Sequence, residues 1–296
     1  MIYLVYTLKG ATMKVALITN GFFVNQKTEE IRELLAGAFL SKGVILTQVR
    51  NSELIAGNGF SELKDVDAVL FWDKDVLLAR HLENEGRLVI NSSSALQICD
   101  DKALSAVVMA KANLPMPKTI LSPFTYANIG FTDLKFLDNV IAKLSFPIVI
   151  KETHGSFGQQ VYLARDYDAL VAIVQKIAPR PMIFQQYIEC GNSDLRLQVV
   201  GDKVVAAVKR ESKNGDFRAN ATLGGIMTAY TPTSEERDLA IAAAKAAHAE
   251  IAGVDILQGD KPYLCEVNAN AHFKRLMDAT GIDVADLIAK YVMSRA

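Results

Sequence analysis

This sequence is poor in several features that mark particular classes of protein. Its 296 residues include only three cysteines, Cys99, Cys190 and Cys265, which lie far apart and have no CxxC spacing. That spacing argues against a disulfide framework and a zinc site, and it suits a reducing compartment. No apolar run approaches the roughly 20 residues that cross a bilayer, and residues 1–12 make a poor signal peptide. We therefore expect a cytoplasmic protein with no membrane partner.

Charge of one sign is not in excess either. The formal net charge is -1, with 32 Lys and Arg against 33 Asp and Glu. Such a balance gives no long-range preference for nucleic acid or an anionic membrane, so neither is expected as a partner. The chain also has no internal repeat and no low-complexity linker. Hydrophobic residues make up 50% of it, so it can bury a large core divided among two or three domains.

Up to about residue 98, short apolar runs alternate with amphipathic segments. The runs of strand length lie at 15–18, 44–49, 68–71 and 88–90, and a helical pattern covers 28–42. This alternation predicts an α/β domain over 1–98, with a parallel sheet covered by helices. Ligands of such sheets bind beyond the carboxyl ends of the strands. Residues 91–94 follow one such end, and they either contribute to a substrate site or simply cap a helix.

Beyond residue 98 the chain mixes helices with hairpins, and from residue 185 it turns antiparallel. The expected elements are a helix at 100–113, a hairpin at 146–151 and 160–164, helices near 167–176, 235–252 and 284–293, and a hairpin at 194–200 and 203–210. Two prolines, Pro115 and Pro117, mark the end of the first helix. Gly201-Asp202 is a strong signal for a tight hairpin turn.

Two apolar strands near the end of the chain carry the most informative pattern. Residues 253–257 and 263–270 flank a turn, and side-chain alternation places Glu266 and Asn268 on one face of the second strand. Folded as a hairpin, the pair brings Asp255 close to both. Two carboxylates and an amide oxygen are hard donors that suit Mg²⁺, and acids inside apolar strands are costly unless something compensates them. The alternative is two acids on an exposed sheet face.

Two further segments suggest phosphate chemistry. A strand ends at Lys151 and is followed by a small glycine loop, 152–159, whose backbone N–H groups and lysine could cover nucleotide phosphates. A basic stretch at 210–220 is too rich in Gly and Asn for a helix, and its cations could neutralise a transferring phosphoryl group. Solvated lysines and ordinary exposed loops are the competing interpretations of both segments.

Taken in order, these segments resemble the RimK-type glutamate ligases of the ATP-grasp superfamily. The matching motifs are Asp101-Lys102, 146–151 with its glycine loop, 185–188, 194–196, GDFRAN at 215–220, Gly224-Gly225, GVDIL at 253–257 and EVN at 266–268. The resemblance runs from about residue 88 to the C-terminus. It implies an N-terminal parallel α/β domain at 1–98 followed by a two-lobed ATP-grasp fold. In that fold two α+β lobes, a central lobe at 99–185 and a C-terminal lobe at 186–296, hold ATP.

The resemblance also implies roles for individual residues. ATP contacts would come from Lys102, Lys151, Gly155, Ser156, Gly158, Gln186, Tyr187 and Asp194. Catalytic contacts to the phosphates and the acyl-phosphate would come from Arg210, Arg218 and Asn220. The metal, Mg²⁺ with Mn²⁺ as a substitute, would be held by Asp255, Glu266 and Asn268.

The implied reaction has two steps. A substrate carboxylate attacks the γ-phosphate of ATP to give an acyl-phosphate and ADP, and an amine then displaces phosphate to form an amide or peptide bond. Mg²⁺ and the arginines must offset the repulsion between the two anionic reactants. The expected partners are an amino acid such as glutamate and a carboxylate acceptor on a small molecule, peptide or protein, with self-association into a homo-oligomer also expected from the family.

One departure from the family bears on the acceptor. Residues 268–274, NANAHFK, replace the Asn-Ala-Ser-Pro-Gly run of ligases that modify a ribosomal protein tail. The Phe273-Lys274 pair resembles instead the relatives that attach amino acids to a carrier protein in lysine biosynthesis. His272 and Lys274 are therefore candidates for substrate contact, with a structural role as the alternative. An ATP-grasp kinase and a non-catalytic nucleotide-binding protein remain as alternative functions.

Overall fold

The computed structural model describes residues 4–6, 13–59, 63–155, 158–212, 217 and 225–296. These residues form three β-sheets with helices packed on them, which confirms the predicted combination of a parallel α/β domain and two α+β lobes. Within the same residues, no helix combines the length and the apolar character that crossing a membrane requires.

The N-terminal sheet has the strand order β1-β3-β2-β4-β5. Its strands are Leu4–Tyr6 (β1), Lys14–Thr19 (β2), Ile45–Arg50 (β3), Ala68–Trp72 (β4) and Val89–Ile90 (β5). Strands β2 to β5 are parallel, as predicted, and β1 adds an antiparallel edge. Helices Gln26–Leu40 (α1) and Val76–Asn84 (α2) follow β2 and β4, and Asn25 and Asp75 cap their first turns.

The central lobe is a four-stranded antiparallel sheet of order β6-β9-β7-β8. Two helices, Ser93–Asp100 (α3) and Lys102–Lys111 (α4), lead into it. Its own elements are Thr119–Leu121 (β6), Phe136–Leu144 (α5), Ile148–Glu152 (β7), Val161–Ala164 (β8), Tyr167–Ile177 (α6) and Met182–Gln186 (β9). Helices α5 and α6 pack on one face of the sheet around buried Phe184, which leaves the other face for the neighbouring lobe.

The C-terminal lobe is an antiparallel sheet of order β12-β11-β10-β13-β14. Its elements are Ser193–Val200 (β10), Lys203–Glu211 (β11), Ile226–Ala229 (β12), Ser234–Ala246 (α7), Ile251–Gln258 (β13), Pro262–Asn268 (β14), Lys274–Thr280 (α8) and Val284–Arg295 (α9). One sheet face packs on the alanine-rich α7. Helix α9 packs back against the N-terminal domain, so both ends of the chain share one core.

Some predicted boundaries differ from the observed elements. Helix α7 ends at Ala246 instead of 252, because His248 adopts a left-handed φ of 56° and Ile251 already pairs with β10. Helix α3 was not expected as a separate element, and the predicted domain boundary at 98/99 falls inside it. The boundary at 185/186 falls inside β9, and the domain limits stay predictions.

Asn91 joins the N-terminal domain to the C-terminal lobe. Its amide nitrogen donates to the carbonyl oxygens of Ile251 and Ala269 at 2.8 and 2.9 Å, and its oxygen accepts from the backbone N–H groups of Glu250 and Ile251, both at 2.9 Å. The neighbouring Ser92 caps α3 through the N–H of Ala95. Residues 91 and 92 thus have structural partners, in agreement with the capping alternative.

We predict that Asn91→Ala lowers the free energy of unfolding by about 3 kcal/mol, because it leaves buried backbone groups without partners. Asn91 is only 1% exposed, so water cannot replace the lost hydrogen bonds. Urea denaturation followed by circular dichroism measures the change. The matched control is Asn58→Ala at an exposed loop position, and equal urea midpoints for the two variants would contradict the structural role of Asn91.

Candidate active site

One face of the C-terminal sheet is apolar, and the other face combines a group of charged side chains with apolar residues that pack in the core shared with the N-terminal domain. Strand pairing places Asp194 opposite Arg210, and Arg196 opposite Asp255. Asp255 is in turn opposite Glu266 on the next strand. Directly paired residues of an antiparallel sheet point to the same face, so these five side chains form one continuous polar row across four strands.

Two aspartates and two arginines of this row form what we call the Asp–Arg network: Asp194, Arg196, Arg210 and Asp255. Arg196 binds Asp255 in a bidentate manner, with both N···O distances 2.6 Å. Arg210 binds Asp194 in the same way at 2.6 and 2.5 Å, and its Nη2 also lies 3.0 Å from Oδ2 of Asp255. The network therefore contains two charges of each sign and is neutral as a unit.

The two aspartates of the network differ in their acidity. Burial opposes charge on Asp255, but Arg196 and Arg210 outweigh it and hold the pKa of this carboxyl below its usual value. Burial raises the pKa of Asp194, and Arg210 offsets only part of that effect. The pKa of Arg210 is raised, because the two neighbouring carboxylates outweigh burial. Asp255 is thus the more firmly ionised of the two.

The predicted metal ligands lie on adjacent strands. Asp255 is paired with Glu266, and Asn268 is paired with Gly253 and donates to its carbonyl oxygen at 3.4 Å. Among the described residues, no three His, Cys, Asp or Glu side chains are grouped closely enough to hold a metal ion. Two carboxylates and an amide oxygen still fit the donor chemistry of Mg²⁺. The metal assignment stays a prediction, because both oxygens of Asp255 already bind arginine.

A cleft between the central and C-terminal lobes contains the two predicted phosphate-binding lysines. Its cavity has a volume of about 30 Å³, and residues lining it include Cys99, Lys102, Lys151, Gln185, Cys265 and Glu266. Cys265 is an extra residue in β14, because Asp255 pairs with Glu266 while Ile256 pairs with Leu264. Its sulfur lies 3.7 Å from Nζ of Lys151.

Lys102 begins α4 directly after the capping residue Asp101. Its backbone N–H donates to Thr153 at 2.9 Å and its Nζ to the Gly155 carbonyl at 3.2 Å. Burial lowers the pKa of Lys102, nearby Glu266 opposes that shift, and the positive charge of Lys151 reinforces it. Lys151 therefore lines the cleft from the central lobe, and Lys102 lines it from α4, which packs against the core of the C-terminal lobe. Glu266 lines the same cavity.

The glycine loop is described only in part. A Cβ at Gly155 would lie 2.4 Å from Oε1 of Gln160, and its φ of 149° is unfavourable for other residues. Gly158 has a left-handed φ of 71°. Glycine is thus needed at both positions for the loop to turn back into β8, while the predicted contact of Ser156 lies outside the described residues.

The predicted adenine-binding residues follow the last strand of the central lobe. Gln186 ends β9, and Tyr187 and Ile188 continue into the C-terminal lobe. A Cβ at Gly259 would lie 2.8 Å from Ile188, so this connection packs against the turn of the β13–β14 hairpin. Gln185, not Gln186, lines the cleft cavity. The adenine assignment stays a prediction.

Residues 268–272, directly after the β13–β14 hairpin, contact the N-terminal domain. Asn270 donates to the carbonyl oxygen of Asp73 at 2.5 Å, and Nε2 of His272 lies 3.1 Å from the carbonyl oxygen of Lys27. Burial lowers the pKa of His272.

Lys274 pairs with Asp278 and lies in an open groove of about 540 Å³ between α1 and the start of α9. Substrate contact by His272 and Lys274 stays a prediction.

The sequence did not single out some residues of the site, and some predicted residues lie outside the part of the chain that the structure describes. Arg196 was noticed only as part of a motif, although its alternation with Asp194 along β10 could have indicated a shared face. Gln185 was likewise noticed only within the motif at 185–188, and the two cleft cysteines had no detectable signal. The predicted catalytic residues Arg218 and Asn220 lie outside the described residues.

Comparison with known proteins agrees with this geometry. The family model of the RimK-like ATP-grasp domain matches residues 99–292. A probable alpha-L-glutamate ligase from Haemophilus influenzae is 35% identical over 240 residues, which cover 78% of this chain and 76% of that protein. The chain belongs to the RimK-like ATP-grasp family. It is accordingly an ATP-grasp ligase, a family that uses ATP and Mg²⁺.

Two further proteins are similar to this RimK-like chain, one in sequence and one in structure. Human N-acetylaspartylglutamate synthase A is 33% identical over 226 residues, covering 75% of this chain and 56% of that protein. The crystal structure of a RimK-domain ATP-grasp protein from Sphaerobacter thermophilus superposes with a TM-score of 0.72 at 24% identity, covering 95% of this chain and 99% of that one. The second similarity supports the fold alone.

We predict that Cys99 and Cys265 resist alkylation in the folded protein. Burial raises their pKa values to about 12 and about 11. At pH 8, Cys265 is then in the reactive thiolate form in only on the order of one protein molecule in a thousand. Iodoacetamide labelling mapped by mass spectrometry tests this, with guanidinium-unfolded protein as the control. Rapid labelling of either residue in the folded protein would contradict the predicted environment.

Proposed function

We propose that this RimK-like ligase joins an amino acid, such as glutamate, to a carboxylate acceptor by way of an acyl-phosphate. The observation that carries the proposal is that Glu266, at the end of the polar row of the C-terminal sheet, lines the same cleft cavity as Lys102 and Lys151. The name of the Haemophilus influenzae relative, an alpha-L-glutamate ligase, supports glutamate as the first amino acid to test.

The residues of the cleft suit the two anionic reactants. Lys102 and Lys151 would bind ATP phosphates and reduce their repulsion of the attacking carboxylate. Asp255, Glu266 and Asn268 would hold Mg²⁺, which when bound neutralises further phosphate charge. The cavity of about 30 Å³ holds only a water or two. A nucleotide with its phosphates in this cavity would need a wider cleft between the lobes, and closure of the lobes over it would exclude water from the acyl-phosphate.

The test is an ADP-release screen with Mg²⁺ and ATP. A panel of amino acids is crossed with small carboxylates, peptides and a carrier protein, and every positive pair is examined by mass spectrometry. We expect ADP release that requires both partners and a product lighter by one water than their sum. ADP release without the amine, together with a phosphorylated product, would show a kinase and overturn the proposal.

We predict that Glu266→Gln lowers turnover by a factor on the order of 100 or more. Loss of one preorganised charged group in such a site typically costs about 3 kcal/mol in the barrier. Stability should change by less than about 1 kcal/mol, because the side chain is half-buried and the substitution keeps its size. The measurements are ADP release and thermal unfolding.

The matched control for this variant is Glu235→Gln, the same chemical change at an exposed position in the first turn of α7. It should keep the turnover of the unchanged protein. A folded Glu266→Gln protein with full turnover would remove Glu266 from the metal assignment.

A further inference from the structure

The carboxylate of Asp255 is fully engaged by arginine. Oδ1 accepts from Nε of Arg196 at 2.6 Å, and Oδ2 accepts from Nη2 of Arg196 at 2.6 Å. Nη2 of Arg210 lies a further 3.0 Å from Oδ2. The Asp255 side chain is only 6% exposed, so water contributes little to its solvation. Its charge is balanced almost entirely by these two guanidinium groups.

A divalent cation needs the same oxygens. Mg²⁺ binds carboxylate oxygens at about 2.0–2.1 Å in a strict octahedral geometry. The bidentate guanidinium of Arg196 takes one in-plane lone pair on each oxygen, and Arg210 approaches Oδ2 as well, so about three of the four lone-pair sites are used. Both arginines also place a like charge next to the cation. Metal and arginine therefore compete for Asp255, and departure of one arginine would free the oxygens and reduce the repulsion that opposes metal binding.

The two arginines are not equivalent in this exchange. Arg210 has a second, bidentate partner in Asp194 and keeps it if contact with Asp255 is lost. Arg196 has Asp255 as its sole ion-pair partner among the residues that the structure describes. It is also the more exposed of the two, with 14% of its side chain accessible against 7%. Arg196 is thus the arginine that can leave.

The position of the Arg196 side chain limits where its guanidinium group can move after it leaves Asp255. A Cβ at Gly253 would lie 3.4 Å from Cδ and Nε of Arg196 and 2.5 Å from Cβ of Ala271. The Arg196 side chain therefore lies across the glycine of β13, next to the strand pair that carries Glu266 and Asn268. A guanidinium released from Asp255 would therefore remain beside the β13–β14 hairpin, whose Glu266 lines the cleft with the predicted phosphate-binding lysines Lys102 and Lys151.

We propose that Arg196 competes with the divalent cation for Asp255 and thereby couples metal binding to nucleotide binding. The anionic phosphates of the nucleotide offer Arg196 a replacement partner, and the metal then takes its place on Asp255. By thermodynamic reciprocity, nucleotide and metal each strengthen the binding of the other. This inference rests on the proposed metal site, and it assigns Arg196 a positioning role that a purely structural ion pair does not have.

The test measures Mn²⁺ binding by electron paramagnetic resonance, with and without a non-hydrolysable ATP analogue. Without the analogue, Arg196→Met should bind Mn²⁺ about tenfold more tightly than the unchanged protein, within the range of typical coupling energies. The analogue should then improve Mn²⁺ affinity less in the variant than in the unchanged protein. Arg196→Lys loses the bidentate contact but keeps the charge, so its affinity should be intermediate, and it carries the test if Arg196→Met does not fold.

Two controls separate the outcomes. Arg32→Met removes an arginine that binds Glu29 in the N-terminal domain, and it should leave Mn²⁺ affinity unchanged. Asp255→Asn should abolish the gain produced by Arg196→Met. Equal or weaker Mn²⁺ binding by both Arg196 variants, with normal binding in the presence of the analogue, would overturn this inference alone. No Mn²⁺ binding even with the analogue would overturn the proposed metal site as well.

Discussion

The ionised carboxylate of Asp255 lies within the C-terminal sheet with 4% of its surface exposed, and its charge has to be balanced there. An unpaired buried carboxylate is very costly, so β10 and β11 must present Arg196 and Arg210 at matching register. The same register places Glu266 opposite Asp255 on the other side. Neutralisation of one buried charge thus fixes the alignment of the strands that carry the site.

The apolar side of the same sheet makes this alignment stable. Leu195, Leu197 and Val254 are fully buried against the small side chains of α7. A shift of register by one residue would exchange these side chains with the Asp–Arg network and place charges in the core. The hydrophobic face and the charged face therefore specify the same pairing, which is a condition for a single well-defined structure.

The N-terminal domain is attached close to the site. Asn91 binds the backbone on both sides of the β13–β14 hairpin, and Asn270 binds Asp73 two residues beyond the predicted ligand Asn268. Movement of this domain would be transmitted to the hairpin through these contacts. The central lobe is joined to the sheet that carries Asp255 by the connection at Tyr187 and by the α3–α4 segment, and Lys151 contacts Cys265 of β14 across the cleft.

The sequence alone determined the parallel N-terminal sheet, the three hairpins and the set of acidic and basic residues, because alternating hydrophobicity, turn residues and motif order are local properties. It also identified the family. Only the tertiary structure decided that Arg196 binds Asp255, that Asn91 is a connector, and that Cys265 is a bulge residue next to Lys151. These features depend on which strands become neighbours and in which register, and that choice arises from packing and charge balance between residues far apart in the chain.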